Sequence, residues 1–169
     1  MVLNFMNYGR PLKLRRVPTL YAELLSKVLP VLHGRMQEQR ISVEQKISAD
    51  LPPLWIDPEL TRNCILNFVS NAVQAMPDGG KITLGAELEQ GQIKLTFADQ
   101  GGGISPEDIG KIFQPYFTTK DLGIGLGLAI TERIIKEHGG EIKVNSEPDK
   151  GTVFTVMLPL KPAKTDKIT

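Results

Sequence analysis

Strand and helix signals are segregated along this chain rather than alternating in a regular βαβ rhythm, and this constrains the fold most. Two alternating runs, Ile82, Leu84, Ala86, Leu88 and then Ile93, Leu95, Phe97, read as neighbouring strands joined through Gly91. Two more, at about 141–145 and 152–158, flank the turn Asp149-Lys150-Gly151. A strand is also expected over 41–47, where Ile41, Val43 and Ile47 share a side although Gln45 breaks the pattern. Helices fall elsewhere. Asp57, Pro58 and Glu59 make a helix start, with a capping carboxylate, a proline at the first helical position and another acid in the first turn. That helix should run to about 76 and stop at Pro77-Asp78-Gly79-Gly80. Ser105-Pro106-Glu107-Asp108 starts a short helix by the same logic, and a helix over about 128–138 is stopped by Gly139-Gly140. Thr19 is placed to cap an earlier helix in which Leu20, Leu24, Val28 and Leu32 recur every four residues, and Pro30 should kink or interrupt it. Pro52-Pro53 makes a stiff connector. The pattern predicts an α+β fold, a two-layer α/β sandwich in which one mixed sheet is covered on one face by helices.

Length allows one domain with a proper core. Residues 17–160 are expected to form it; 1–16 read as the severed end of a helix plus a linker, and 161–169 as a flexible polar tail. A formal net charge of +1 with no basic block argues against a general nucleic-acid or membrane-surface binder. The single cysteine, Cys64, rules out an internal disulfide and sits in an apolar helical run as a small core residue. A reducing, cytoplasmic setting fits. No stretch approaches the roughly 18 apolar residues of a membrane span. The opening carries no signal-peptide pattern. A sensor or membrane segment of a membrane-anchored parent protein would lie outside this chain.

Four segments carry chemistry. On the helix over 57–76, Asn63, Asn67, Ser70, Asn71 and Gln74 fall in a stripe about 100° wide. A solvated face would normally carry Lys or Glu, so amides and a hydroxyl suit either an inert polar face or a site where carbonyl oxygens reach a cation without adding charge. Asp99 continues the parity of Ile93, Leu95 and Phe97, which aims its carboxylate towards the buried side at the strand end. A carboxylate there needs a donor, and an exocyclic amine such as that of adenine would serve. Gly101, Gly102 and Gly103 behind it allow a tight turn or close approach of backbone to a ligand. Gly123-Ile124-Gly125-Leu126-Gly127 runs straight into a helix, whose unpaired N–H groups and positive dipole end suit phosphates. It is neither a Walker loop nor a dinucleotide fingerprint, and a flexible turn is the plain alternative. Between the two glycine clusters, Phe113-Gln114-Pro115-Tyr116-Phe117-Thr118-Thr119-Lys120 reads as a lid whose aromatics pack while Lys120 and the threonines face phosphate oxygens, or as a core-packed loop with a solvated lysine.

Taken in this order, the segments resemble the ATP-binding domain of sensor histidine kinases, in the superfamily shared with gyrase, the mismatch-repair ATPase and a heat-shock chaperone. The match covers about residues 51–160. Residues 67–72 match the asparagine box, 99–103 the first glycine box, 113–120 the phenylalanine box, 123–128 the second glycine box, and 151–159 the closing strand. The segment 71–77 is most similar to kinases of the nitrogen-regulation and acetoacetate-sensing type. The resemblance implies an ATP pocket between helices and a lid loop, with MgATP bound through Asp99 at the adenine amine and Asn71 at Mg²⁺. Gly101, Gly103 and Ile104 would shape the base end. Phe113, Thr118, Thr119 and Lys120 would form the lid, and Gly123, Gly125, Leu126, Gly127 and Leu128 the phosphate end. Asn67, Asn71 and Lys120 are the implied catalytic residues. The implied partners are ATP and ADP, a histidine-bearing dimerisation domain of the same kinase, and a response regulator.

Relatives that hydrolyse ATP place a glutamate four residues before the metal-binding asparagine, where this chain has Asn67; transfer to another nucleophile is therefore expected over hydrolysis. Gln74 stands where many kinases have lysine, which leaves a phosphate contact there open. Neither His33-Gly34-Arg35 nor His138-Gly139-Gly140 fits the family's acceptor motif of histidine, acid and nearby proline. Residues 4–11 look like the tail of the dimerisation helix, so the chain reads as a catalytic fragment without its acceptor. The competing reading is an ATP-sensing module that changes shape without catalysis.

Overall fold

The computed structural model describes residues 12–119 and 123–160, so the expectations for 1–11 and 161–169 lie outside the described residues. A two-stranded antiparallel sheet pairs β1 (Val17–Thr19) with β3 (Leu54–Ile56). The main sheet holds β2 (Ile41–Ile47), β4 (Gly80–Glu89), β5 (Gln92–Asp99), β6 (Glu141–Glu147) and β7 (Gly151–Pro159), in the order β2-β4-β5-β7-β6. Only β2 and β4 run parallel, so the sheet is mixed as expected.

Register aligns the core residues into rows. Leu84, Phe97 and Phe154 stand side by side, as do Ala86, Leu95 and Val156. All six are buried and face α1 (Tyr21–Glu38), α2 (Pro58–Ala75) and α4 (Gly127–Glu137). Alternate residues such as Thr83, Lys94 and Thr96 lie on the other face and are only half-buried. Phe68 of α2 stacks on Phe97 at 4.5 Å between centroids and tilts against Phe154 at 5.1 Å. Burying a side chain of this size stabilises by about 1.5–3 kcal/mol. This aromatic contact seats α2 on the middle of the sheet.

α2 starts where its sequence says. Asp57 is the N-cap and its Oδ1 accepts from Leu60 N at 3.1 Å. The short α3 (Pro106–Ile109) is capped in the same way, with Ser105 accepting from Asp108 N. α1 departs from expectation twice. Thr19 is not its cap: it ends β1 and its hydroxyl donates to Val17 O at 3.1 Å, while Leu20 is the N-cap and is exposed. Pairing with β3 holds Thr19 in a strand, and that tertiary contact overrides its capping tendency. Nor does Pro30 interrupt α1, which continues to Glu38. Pro30 lies on the exposed side, where water can satisfy the carbonyl it leaves without a donor.

Candidate nucleotide site

Asp99 ends the middle strand of the sheet, in the row formed with Ile82, Thr152 and Ser146. Ile82 apart, the row is polar where the next row on the same face is apolar, and it lies at the margin of the core. Asp99 Oδ1 accepts from Gly101 N at 2.8 Å and Thr152 N at 3.2 Å. Ser146 continues the network, accepting from Ile104 N at 2.8 Å and lying 2.9 Å from Thr152 Oγ1. The glycine turn after Asp99 is fastened at both ends, through Gly102 N to Ala75 O on one side and Asp149 N to Gly102 O on the other. Gly103 has φ +71°, and a Cβ there would collide with the Glu147 carbonyl, so glycine is required to bring this turn against the β6–β7 hairpin.

Beside this row opens a cavity of about 450 Å³, within the range of small-molecule sites. Its wall along α2 is Asn67, Asn71, Gln74 and Ala75. From Asn67 to Ala75 the helix rises about 12 Å. The cavity therefore runs from Asp99 and Gly103 at the C-terminal end of α2 to Gly127 beside Asn67, where α4 begins. At that end the first N–H groups of α4 have no intrahelical carbonyl to bind. Gly125, at φ +71°, lets the glycine loop lie against the lid: Tyr116 N donates to Gly125 O at 2.9 Å, and a Cβ at Gly125 would fall 2.6 Å from Phe117 O.

Of the residues singled out from sequence, Asn67, Asn71, Asp99, Gly103, Ile104, Thr118, Thr119, Gly123, Gly125, Gly127 and Leu128 line this one cavity. Gly101, Phe113 and Leu126 stand behind its wall. Gly101 packs on Ala75, Phe113 meets Phe154 edge-on at 6.4 Å, and Leu126 is the N-cap residue of α4. Lys120 lies outside the described residues. The lid aromatics divide: Phe113 and Phe117 pack against the core, while Tyr116 is 64% exposed. Of the amide stripe, Asn63 and Ser70 do not reach the cavity. Sequence reasoning missed Ala75, Ser105, Asp108, Ile112, Thr152 and Phe154, which also line it, and it named Phe117 and Ile124 only as parts of the lid and the glycine loop. Thr152 could be found only by knowing that β7 pairs with β5, since 53 residues separate it from Asp99.

The two carboxamides Asn67 and Asn71 are one turn apart on α2. Among the described residues, no group of three or more His, Cys, Asp and Glu could hold a metal unaided. An amide oxygen or two, with phosphate and water completing the shell, is a donor set that suits magnesium.

The family profile for histidine kinase-, DNA gyrase B-, and HSP90-like ATPases matches residues 56–162. The chain belongs to this family. Among its relatives, sensor histidine kinase ZraS of Escherichia coli (strain K12) is 34% identical over 143 residues, 85% of this chain and 31% of ZraS. Full-length ShkA, solved in complex with AMPPNP, matches with a TM-score of 0.81 and 31% identity over 90% of this chain and 32% of ShkA. Histidine kinase ThkA, solved with the response regulator protein TrrA, matches with a TM-score of 0.76 and 28% identity over 89% of this chain and 43% of ThkA. The chain spans about a fifth to a third of the length of the curated relatives it matches.

Proposed function

We propose that this chain binds MgATP and donates the γ-phosphoryl group to a histidine on a separate dimerisation domain of the same kinase, which then serves a response regulator in two-component signalling. Asp99 carries the proposal: a carboxylate at the buried end of the middle strand, held by two main-chain N–H groups at the mouth of a cavity that ends on a helix N-terminus. The carboxylate accepts from the adenine amine, while Gly103 and Ile104 flank the base. The opening turn of α4 holds the phosphates, with Thr118 and Thr119 above them. Asn71 offers its amide oxygen to magnesium, which neutralises phosphate charge when bound. Catalysis is then positioning and charge neutralisation. A carboxamide at Asn67 has no basicity with which to deprotonate water, which favours transfer over hydrolysis.

We assign 17–160 to the ATP-binding unit, 1–16 to the linker and dimerisation-helix end, and 161–169 to a tail, on the cytoplasmic side of the membrane if the parent is anchored. No described helix is long and apolar enough to cross a membrane. Neither histidine is placed as an acceptor. His138 is buried with both ring nitrogens engaged, and His33 lies on the exposed side of α1, away from the cavity lining. Calorimetry with ATP and Mg²⁺ should show saturable binding, and radiolabelled ATP should leave the isolated chain unlabelled. A dimerisation domain added in trans should acquire acid-labile phosphohistidine. Tight ATP binding with no transfer would favour the ATP-sensing reading, and steady release of ADP would favour a hydrolase.

A further inference from the structure

One polar contact across the α2–α4 interface has no part in the scheme above. Thr131, the fifth residue of α4, is 2% exposed and brings a hydroxyl between α2 and α4. Asn67 Nδ2 donates to Thr131 Oγ1 at 3.1 Å. Cys64 lies one turn before Asn67 on α2, and burial pushes its thiol up to about 12. Towards Asn67 the Thr131 hydroxyl oxygen is the acceptor, so the amide nitrogen faces it. The amide oxygen is then turned the other way, against the first residue of α4: a Cβ built at Gly127 would fall on Asn67 Oδ1 and 3.1 Å from its Cγ.

The two faces of a carboxamide do opposite things at a phosphate site. A nitrogen turned outwards donates to phosphate oxygens, whereas an oxygen turned outwards accepts from the waters that magnesium keeps when it binds phosphate. We propose that Thr131 is a positioning residue that sets the orientation of the Asn67 carboxamide, so that Asn67 presents its oxygen to the hydration shell of the nucleotide-bound cation. The inference deepens the MgATP reading and rests on it.

The test uses the whole chain, with ATP in magnesium or in EDTA as the probe. Thr131→Val keeps the shape and removes the hydroxyl; Thr131→Ser keeps the hydroxyl and removes the methyl group. Thr131→Val should lower affinity in magnesium by about fivefold, the loss expected of one neutral hydrogen bond, and leave affinity in EDTA unchanged. Thr131→Ser should stay within about twofold of wild type on the same grounds. In an Asn67→Ala background, Thr131→Val should add nothing, because its effect passes through Asn67. The side-chain amide signals of Asn67 in a nitrogen–proton correlation spectrum should move in Thr131→Val and hold in Thr131→Ser. Wild-type magnesium dependence in Thr131→Val, equal losses in Val and Ser, or multiplying losses in the double variant would each overturn the proposal. The amide signals need no nucleotide. If they stay still in Thr131→Val, the positioning inference fails alone; if wild type shows no ATP binding at all, the nucleotide reading fails with it.

Discussion

Asp99 shows how much one side chain depends on its neighbours. Strand parity alone turns its carboxylate towards the core, because Ile93, Leu95 and Phe97 precede it at a period of two and all three are buried. The two N–H groups that hold Oδ1 come from Gly101, two residues on, and Thr152, on a strand that is remote in sequence. The substitution Asp99→Asn should separate these roles. An amide oxygen can keep both main-chain bonds, so thermal stability should stay near wild type. The amide nitrogen then faces the base as a donor meeting a donor, and ATP affinity should fall by roughly 1.5–3 kcal/mol, the range for hydrogen bonds to charged groups. Asn71→Ala should act differently, lowering affinity measured in magnesium while leaving affinity in EDTA and the melting temperature unchanged. Unaltered calorimetric affinity for ATP in both variants would mean that the nucleotide binds elsewhere.

Among the elements, α2 does most to position the site, and its start is fixed by a residue that also reaches Arg15. Asp57 caps α2 through Oδ1 and accepts from Arg15 N through Oδ2 at 2.9 Å, while its own N–H donates to His138 Nε2 at the end of α4. Arg16 adds a bond to Glu137 O. The two helices that border the cavity thus converge, at their far ends, on residues 15 and 16. Asp57→Ala should destabilise the fold by about 1–2 kcal/mol, the upper part of the range for lost caps, because the bond to Arg15 goes with the cap. A urea titration would show this as a lower midpoint at unchanged slope. A midpoint equal to wild type would mean that neither bond contributes. The Asp-Pro-Glu signature made this start legible, but nothing local revealed that the same carboxylate ties down residue 15.

For the whole molecule, stability should respond to pH through His138. Burial pushes its pKa below the usual 6.5, with the Arg16 charge acting in the same direction, against the Ile134 carbonyl and the charges of Asp57 and Glu137, which act to raise it. The native ring is neutral, donating from Nδ1 to Ile134 O and accepting at Nε2. Below pH 6.5 the unfolded chain takes up a proton that the folded chain still refuses. Stability is therefore fully present above 6.5 and is lost as pH falls from there through the lower folded value. Chemical denaturation of wild type and His138→Gln at a series of pH values should show a drop as pH falls below about 6.5 that is larger in wild type. Parallel curves would mean that this ring contributes nothing to the dependence.

The sequence by itself determined whatever a short window can encode: strand and helix periods, the caps at Asp57 and Ser105, the amide stripe on α2, and the inward aim of Asp99. It also determined the order of the glycine and aromatic segments, and so the family. Only the tertiary structure decided which polar residues meet. Pairing with β3 kept Thr19 in a strand, and pairing of β7 with β5 brought Thr152 to Asp99. Packing of α4 on α2 set Thr131 against Asn67, and the face α1 shows to water let it run through Pro30. Dihedral preference and side-chain period act within a few residues, whereas register and helix contact are fixed by burying the whole core at once. A residue's neighbours across the sheet therefore cannot be read from its neighbours along the chain.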